Sequence, residues 1–227
     1  MKWLFTILTL SMLSGCGGFR GGVESVPYVG GIEPQQSSTN HAWPHEITLP
    51  GLSLHLSLNN RVRTYQYEVM LYIIPTYLNF WDEFQDRDAE SLELTVQIIA
   101  HGSAVTIDPR QLTMTVDGKE FYPTAVWVNN LDRERQVIDT YVRARHQASP
   151  EQPPPLPRSA QWRDAVTAPA QVNPEEKSPR FIVTFPIPLP SPESTLSLDL
   201  NPSIIAPMPA HIPLIRFKSL HWSGGYS

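Results

Sequence analysis

The chain of 227 residues has one cysteine, few charged residues and no long hydrophobic run. A single cysteine excludes an internal disulfide and any zinc cluster built from several cysteines. Charged residues make up 17% of the chain, below the usual ~25%, and the formal net charge is -5. This balance offers no basic surface for nucleic acid, and no stretch reaches the roughly 18 apolar residues that a membrane-spanning helix needs.

Motifs of common catalytic sites are also absent from the sequence. It contains no Gly-x-Ser-x-Gly, Ser-x-x-Lys, His-Glu-x-x-His, P-loop or Gly-x-Gly-x-x-Gly. His41 and His45 have a spacing that suits metal ligands on a helix, but Pro44 disfavours a helix there and no third ligand is evident. The sequence therefore predicts neither a metal site nor a cofactor, and it leaves open catalysis by side chains that converge only in space.

The first residues have the order of a signal peptide. Met1 and Lys2 precede an apolar run from Trp3 to Leu13, and small residues follow that run. At ~1.5 Å per residue, such a helical run covers about half of a ~30 Å hydrocarbon core. It is therefore too short for a transmembrane anchor.

The motif Leu13-Ser14-Gly15-Cys16 resembles the lipobox of bacterial lipoproteins. The resemblance implies that residues 1–15 are removed and that Cys16 receives fatty acyl chains such as palmitate. Several chains give a stable anchor because each buried CH₂ contributes ~0.8 kcal/mol. Gly17 stands where aspartate favours the inner membrane, so the resemblance implies the outer membrane of a diderm bacterium, facing the periplasm or the surface. The alternative is an ordinary secretory signal, with Cys16 left as a free buried thiol.

Residues 16–46 are rich in glycine and small polar residues, which predicts a flexible tether behind the lipid. A flexible chain of ~30 residues has an end-to-end distance of about 30 Å, enough to hold a domain away from the bilayer. Residues 47–227 are sufficient for a single domain with its own core.

From residue 47 onward, apolar residues alternate with polar ones, which is typical of strands that bury one face. The dipeptide at 117–118, Asp-Gly, predicts a type I′ hairpin turn that pairs Met114 with Phe121. The alternating segments lie at 52–58, 65–73, 92–100, 112–128, 181–185, 196–200 and 214–217. Seven or eight such strands predict a mainly β fold, an antiparallel β-sandwich.

Two stretches interrupt the alternation and predict short helical insertions. The first follows Pro75, where a helix would bring four aromatic rings to one face: Tyr77, Phe80, Trp81 and Phe84. We interpret these rings as core packing, and the alternative is a binding surface, because aromatic residues are enriched at interfaces and sugar platforms. They are the candidate binding residues of the sequence. The second stretch, residues 131–146, has one apolar helical face and charged residues outside it.

Prolines concentrate late in the chain, where 16 of the 23 lie at or after Pro150. Residues 147–179 contain eight of them and few hydrophobic residues, which predicts a proline-rich loop inserted into the domain. Proline cannot donate to a strand ladder, so four later prolines are predicted to mark strand edges or connections: Pro186, Pro188, Pro190 and Pro192.

The stretch from about 90 to 200 resembles the immunoglobulin-like domains of bacterial lipoproteins. The resemblance rests on the order of its motifs: a strand ending near Ala100-His-Gly-Ser, the hairpin at Asp117-Gly118, and Phe185-Pro186-Ile187-Pro188 before Leu196-Ser-Leu-Asp-Leu. It implies an immunoglobulin-like β-sandwich and carries over no functional residue. The insert from about Leu131 to Pro179 departs from the compact pattern of these domains.

Together these features predict an outer-membrane lipoprotein without enzymatic activity, whose β-sandwich binds another envelope component, either a protein or a glycan. The membrane is contacted through lipidated Cys16, and no nucleic acid is expected as a partner. One alternative is a lipid-anchored hydrolase or carbohydrate-active enzyme, supported by two carboxylates in one cleft, one with a raised pKa. Another is a periplasmic carrier or chaperone for lipid or protein, which needs a continuous apolar cavity.

We expect Cys16→Ser to abolish membrane fractionation, because the substitution removes the sulfur that accepts the acyl chains. Immunoblots of membrane and soluble fractions measure the effect. Ser14→Ala is the matched control, since it keeps a small residue in the motif and leaves the protein in the membrane pellet. A Cys16→Ser protein that remains in that pellet would contradict the lipoprotein assignment.

Overall fold

The computed structural model describes residues 16–31, 34, 46–70, 74–84, 90–129, 131–147, 155, 162–206 and 212–226. Over these residues the chain is mainly β, as the alternation predicts, with one α-helix and two short 3-10 helices. The predicted signal peptide and the histidine pair at 41 and 45 lie outside the described residues.

The helix, α1, is Leu131–Gln147, and the 3-10 helices are Pro109–Gln111 and Asn201–Ser203. The strands have the following bounds: β1 Cys16–Tyr28, β2 Glu46–Leu49, β3 Leu52–Leu58, β4 Val62–Met70, β5 Ile74–Phe84, β6 Leu92–Ala100, β7 Val105–Ile107, β8 Thr113–Val116, β9 Lys119–Phe121, β10 Ala125–Asn129, β11 Arg163–Ala165, β12 Ala170–Val172, β13 Arg180–Phe185, β14 Leu196–Asp199, β15 Ile204–Ala206 and β16 Ile215–Tyr226.

The described strands form three antiparallel sheets. A seven-stranded sheet has the order β5-β4-β1-β16-β14-β8-β9, and a six-stranded sheet has the order β11-β10-β13-β6-β3-β2. The third sheet is small, with the order β12-β7-β15. Adjacent strands are antiparallel throughout these sheets, which agrees with the predicted antiparallel fold.

The two larger sheets contribute to one hydrophobic core. In β6 every second residue is buried, from Leu92 to Ala100, as the alternation predicts. The flanking strands β3 and β13 add leucines and phenylalanines, and β8, β14 and β16 supply apolar side chains from the seven-stranded sheet. Each sheet buries one set of alternating residues in this core. The other set lies on the opposite face of the sheet, where it can contact other groups.

The predicted hairpin between β8 and β9 is confirmed. Asp117 and Gly118 both have positive φ, 48° and 82°, as a type I′ turn requires. Met114 lies opposite Phe121, and the Asp117 carboxylate accepts a hydrogen bond from the Thr195 backbone N–H at 2.8 Å. The turn is therefore fixed to the start of β14.

The predicted helix over 131–146 is also confirmed, as α1. An ion pair of 2.7 Å between Arg133 Nη1 and Asp164 Oδ1 joins its first turns to β11. On the predicted apolar face Val137 and Tyr141 are half-buried, whereas Ile138 and Val142 are exposed.

The helix predicted over Tyr77, Phe80, Trp81 and Phe84 is wrong, because this segment is the strand β5, paired with β4. Side-chain direction repeats every two residues in a strand. A spacing of three, four and seven residues, which aligns side chains on a helix, therefore does not align them on a strand. Aromatic residues favour strands as well, and pairing with a neighbour decides between two local preferences. Pro75 is tolerated because β5 is at the edge of its sheet.

The predicted tether is wrong over residues 16–28, which form the strand β1 between β4 and β16. The reason is the role of its glycines. A Cβ atom on Gly21 would collide with the Tyr65 ring, and one on Gly22 would collide with the Val62 carbonyl oxygen. These glycines therefore permit close approach of a neighbouring strand, a use of glycine distinct from flexibility.

The segment at 147–179, predicted as a proline-rich loop, contains two short strands in its second half. It includes β11, which pairs with β10, and β12, which pairs with β7. Residues 148–154 and 156–161 lie outside the described residues. The four prolines at 186–192 lie in the connection between β13 and β14.

We expect Gly22→Ala to lower the free energy of unfolding by about 2 kcal/mol or more, because a methyl group there displaces the β4 backbone. Gly31→Ala is the matched control, since Gly31 has open space around it, and its effect stays within about 0.5 kcal/mol. Urea unfolding followed by circular dichroism, in the full chain carrying Cys16→Ser, measures both. Equal midpoints for the two variants would contradict the close packing of β1 against β4.

Candidate functional site

An open recess of about 340 Å³ lies on the six-stranded sheet, near the small end of the range for ligand sites. Strands β3, β6 and β13 line it with His55, Leu56, Ser57, Thr95, Gln97 and Arg180. The alternation that buries the leucines of β3 and β6 turns the intervening polar residues away from the core. The recess is thus a direct product of the strand pattern.

The strand register sets polar side chains in a row across the recess. His55 lies opposite Glu46 on one side and opposite Gln97 on the other. Gln97 in turn lies opposite Arg180. Neighbouring strands are ~4.8 Å apart, so four polar side chains follow one another over about 14 Å. His55 Nε2 and Glu46 Oε2 are 3.7 Å apart, and the two side chains are 43% and 45% exposed.

A second row, parallel to the first, changes from polar to apolar. Ser57 lies opposite Thr95, and Thr95 lies opposite Ile182. Ile182 is opposite Trp127 of β10, which is half-buried. Ile182 is only 5% exposed although its neighbours in the strand, Phe181 and Val183, belong to the core. The face therefore offers hydroxyl groups at one end and an aromatic residue with an apolar neighbour at the other.

The wall of this face is held by an ion pair between distant strands. Arg163 of β11 reaches Glu93 of β6, with Nη1 to Oε1 at 3.2 Å and Nη2 to Oε2 at 3.4 Å. The side-chain carbonyl of Asn59 accepts a hydrogen bond from the Glu93 backbone N–H at 2.8 Å, which fixes that strand end. These contacts tie β11 and the β3–β4 connection to the start of β6.

A second recess, of about 320 Å³, lies where β10 and β11 meet the first 3-10 helix. Arg110 lines it, and the remaining lining is mostly proline, alanine and valine. Asp108 holds Arg110 through two hydrogen bonds, Nε to Oδ1 at 2.7 Å and Nη2 to Oδ2 at 2.8 Å. Hydrogen bonds from Arg110 lower the pKa of Asp108, so both groups stay charged and oriented. Because Arg110 is the one charged residue among the described lining residues, this recess presents fewer polar groups to a ligand than the first recess does.

A serine and a histidine are in contact outside the recess. Ser53 Oγ and His101 Nε2 are 3.0 Å apart, and the His101 backbone N–H donates to the Gly51 carbonyl. A serine nucleophile must be open to the substrate, but Ser53 is only 3% exposed. This contact therefore holds the loop after β6 against β3.

An ion pair between buried Glu24 and half-buried Arg61 links β1 to the connection between β3 and β4. Arg61 Nε is 3.1 Å from Glu24 Oε2, and the guanidinium carbon is 3.8 Å from the centroid of the Trp222 ring. Burial raises the pKa of Glu24, and the Arg61 charge opposes that rise. Burial also lowers the pKa of Arg61. The raised carboxyl pKa thus arises in a paired structural group, away from the recess.

Next to this pair, Asn60 is fully buried and donates to Ser25 Oγ at 3.0 Å. The Ser25 hydroxyl donates in turn to the Pro192 carbonyl at 3.4 Å. These bonds connect β1, the β3–β4 connection and the proline-rich segment after β13. They place the polar groups of β1 in a structural role.

The residues singled out in the sequence lie on the other large sheet. Cys16 is the first residue of β1, opposite Met70 at the end of β4. The four aromatic residues belong to the edge strand β5, on the seven-stranded sheet. The structure therefore does not bring Cys16 or these aromatic residues to the recess. The recess residues occur in the sequence as the polar partners of the alternation, but choosing among them requires the strand order.

Among the described residues, no group of three or more His, Cys, Asp or Glu side chains is placed to hold a metal ion. No helix in the same part of the chain is long and apolar enough to cross a membrane. Comparison of the chain with known family profiles, with curated proteins and with solved structures gave no match.

We expect the Glu24→Gln variant to gain stability relative to the wild type as pH rises. Because the pKa of Glu24 is raised on folding, the stabilisation from its bound proton is complete below the ordinary glutamate pKa of about 4.3. It is lost as pH rises through the raised pKa, whereas the amide of the variant does not titrate. Urea unfolding from pH 4 to pH 7 measures the difference.

The exposed Glu193→Gln variant, analysed in the same way, controls for removal of one negative charge. If the Glu24→Gln difference is the same at every pH, burial does not control the ionisation of Glu24.

Proposed function

We propose that the chain is an outer-membrane lipoprotein, anchored through acylated Cys16, whose immunoglobulin-like β-sandwich binds another component of the cell envelope. The lipobox at residues 13–16 supports the anchor. Antiparallel sheets that share one core support the sandwich. A rigid sheet that presents polar groups in an open recess is a suitable platform for a binding role.

The row across the recess carries the proposal. An arginine, a glutamine and a histidine on adjacent strands present guanidinium, amide and imidazole groups side by side. Guanidinium and amide groups form paired hydrogen bonds to carboxylates and to neighbouring hydroxyls. The second row adds two hydroxyl groups and, further along, Trp127, of the type on which the apolar face of a sugar ring packs. We therefore favour a glycan that carries carboxylates over a protein partner.

The two alternatives draw less support from the same geometry. For an enzyme, Ser53 is buried and the carboxyl with a raised pKa, Glu24, is paired with Arg61. For a carrier, five of the six residues that line the recess have polar side chains, whereas a lipid or an unfolded chain needs a continuous apolar surface. A binding module fits the recess best.

We expect Arg180→Ala to weaken binding to purified peptidoglycan sacculi, a carboxylate-bearing envelope glycan, by about tenfold or more. The loss of one charge-assisted hydrogen bond, ~1.5–3 kcal/mol, corresponds to that factor. Arg216→Ala is the matched control, because it removes an exposed arginine from the other large sheet. Co-sedimentation of the full chain with sacculi measures the affinity.

A photo-crosslinking residue at Ser57, in the recess, and one at Tyr122, outside it, distinguish the partners in the native envelope. A glycan partner gives sacculus-linked product from position 57 alone. A defined protein crosslinked from position 57, with no binding to sacculi, assigns the recess to a protein. Equal behaviour of Arg180→Ala and Arg216→Ala, with no product from position 57, contradicts the binding role of the recess.

A further inference from the structure

Several strands of the seven-stranded sheet end where the proposed lipid is attached. β1 begins at Cys16, which lies opposite Met70, the last residue of β4. Met70 lies opposite Ile74, the first residue of β5. On the other side of β1, Gly18 lies opposite Tyr226, the last residue of β16. We call this end of the sheet, defined by Cys16, Met70, Ile74 and Tyr226, the anchor end.

The anchor end has no spacer between the lipid site and the fold. A lipid on Cys16 would be bonded to the first residue of a strand that is already paired. Strands are ~4.8 Å apart, so Met70 lies about 5 Å and Ile74 about 10 Å to the side of Cys16. Acyl chains that enter a leaflet at Cys16 therefore bring the start of β5 and the end of β4 to the bilayer surface.

The composition of the anchor end suits that position. No charged residue occurs from Val69 to Thr76, and the first charge along β4 is Glu68, opposite Gly18 and at the level of Tyr226. Aromatic residue types occupy the next register positions, with Tyr67 opposite Phe19 and Tyr77 opposite Glu68. Tyrosine and tryptophan are enriched where proteins meet the headgroup region of a bilayer.

The opposite end of the same sheet carries several charged residues. Lys119 follows the β8–β9 turn and lies opposite Val116, which pairs through β14 and β16 with the far end of β1, near Pro27. Asp117, Lys119 and Glu120 lie at this end, and all three are exposed. The strand from Cys16 to Pro27 has a length of roughly 36 Å at ~3.3 Å per residue. The sheet thus has one end with aromatic residue types and a single carboxylate, Glu68, and another end with three exposed charged residues.

We propose that the anchor end is embedded in the interface of the leaflet that holds the acyl chains of Cys16, so that the sheet stands on the bilayer with the β8–β9 turn pointing away. The embedded depth is that of interfacial segments, about 5–10 Å. This orientation rests on the proposed lipid anchor and adds a second, direct contact between protein and lipid.

The experiment uses the full lipidated chain, in which the Cys16 sulfur is a thioether and an introduced cysteine is the single thiol. An environment-sensitive fluorophore is attached to Met70→Cys, Ile74→Cys and Tyr226→Cys, with Lys119→Cys as the control. Each protein is placed in phosphatidylethanolamine–phosphatidylglycerol vesicles with and without brominated acyl chains. We expect brominated lipid to reduce emission at least about twofold at the three anchor-end positions and to leave the label at position 119 unchanged.

The outcomes separate this orientation from the anchor itself. Mass spectrometry of the N-terminal peptide without acyl groups overturns the anchor, and the orientation with it. Acylated protein whose anchor-end labels are quenched no more than position 119 overturns the orientation and leaves the anchor intact. Labels that are shielded from water yet unaffected by brominated lipid show that a second copy of the chain covers them, and this result also overturns the orientation. Circular dichroism of each labelled protein verifies folding. Because three anchor-end positions are labelled, the test remains possible if one of these variants does not fold.

Discussion

The pairing of β1 with both β4 and β16 is the constraint on which the arrangement of the molecule depends. Glycines at 21 and 22 make this pairing possible because the neighbouring strand occupies the space of a side chain. Once β1 is in place, Glu24 meets Arg61, whose guanidinium lies over Trp222, and Ser25 meets Asn60. One strand thereby joins the seven-stranded sheet, the β3–β4 connection and the segment before β14.

The shared core has a different consequence for the six-stranded sheet. Because β3, β6 and β13 bury one set of residues against the other sheet, their polar residues are aligned by register alone. The recess needs no loop to assemble it, and its side chains project from hydrogen-bonded backbone. A site built in this way is fixed before a ligand arrives, which reduces the entropy lost on binding.

Sequence reasoning succeeded where the determining interactions are local. The alternation in β6, the positive-φ dipeptide of the β8–β9 turn and the apolar face of α1 each lie within a few neighbouring residues. It failed at β5 because a short aromatic stretch fits a helix and a strand equally well, and β4 decides between them. It failed at β1 because composition does not distinguish a flexible glycine from one that a neighbour touches.

At the candidate site, too, the sequence indicates the local features but not those that depend on strand order. The polar residues of β3 and β6 were visible as the partners of buried leucines, but the alignment of His55, Gln97 and Arg180 depends on strand order. That order joins segments far apart in the chain, which a local pattern does not encode. The pairing of buried Glu24 with Arg61 depends on strand order for the same reason.

If Cys16 carries the proposed lipid, the start of β1 also fixes the order in which cleavage and folding occur. A peptide bond is cut by a protease in an extended, accessible form, and the backbone at Cys16 is paired with β4 in the finished sheet. Under the proposed lipid anchor, removal of residues 1–15 therefore comes before this part of the sheet closes. Folding and processing are then successive steps under this proposal, and β4 and β16 gain their shared partner strand only after residues 1–15 have been removed.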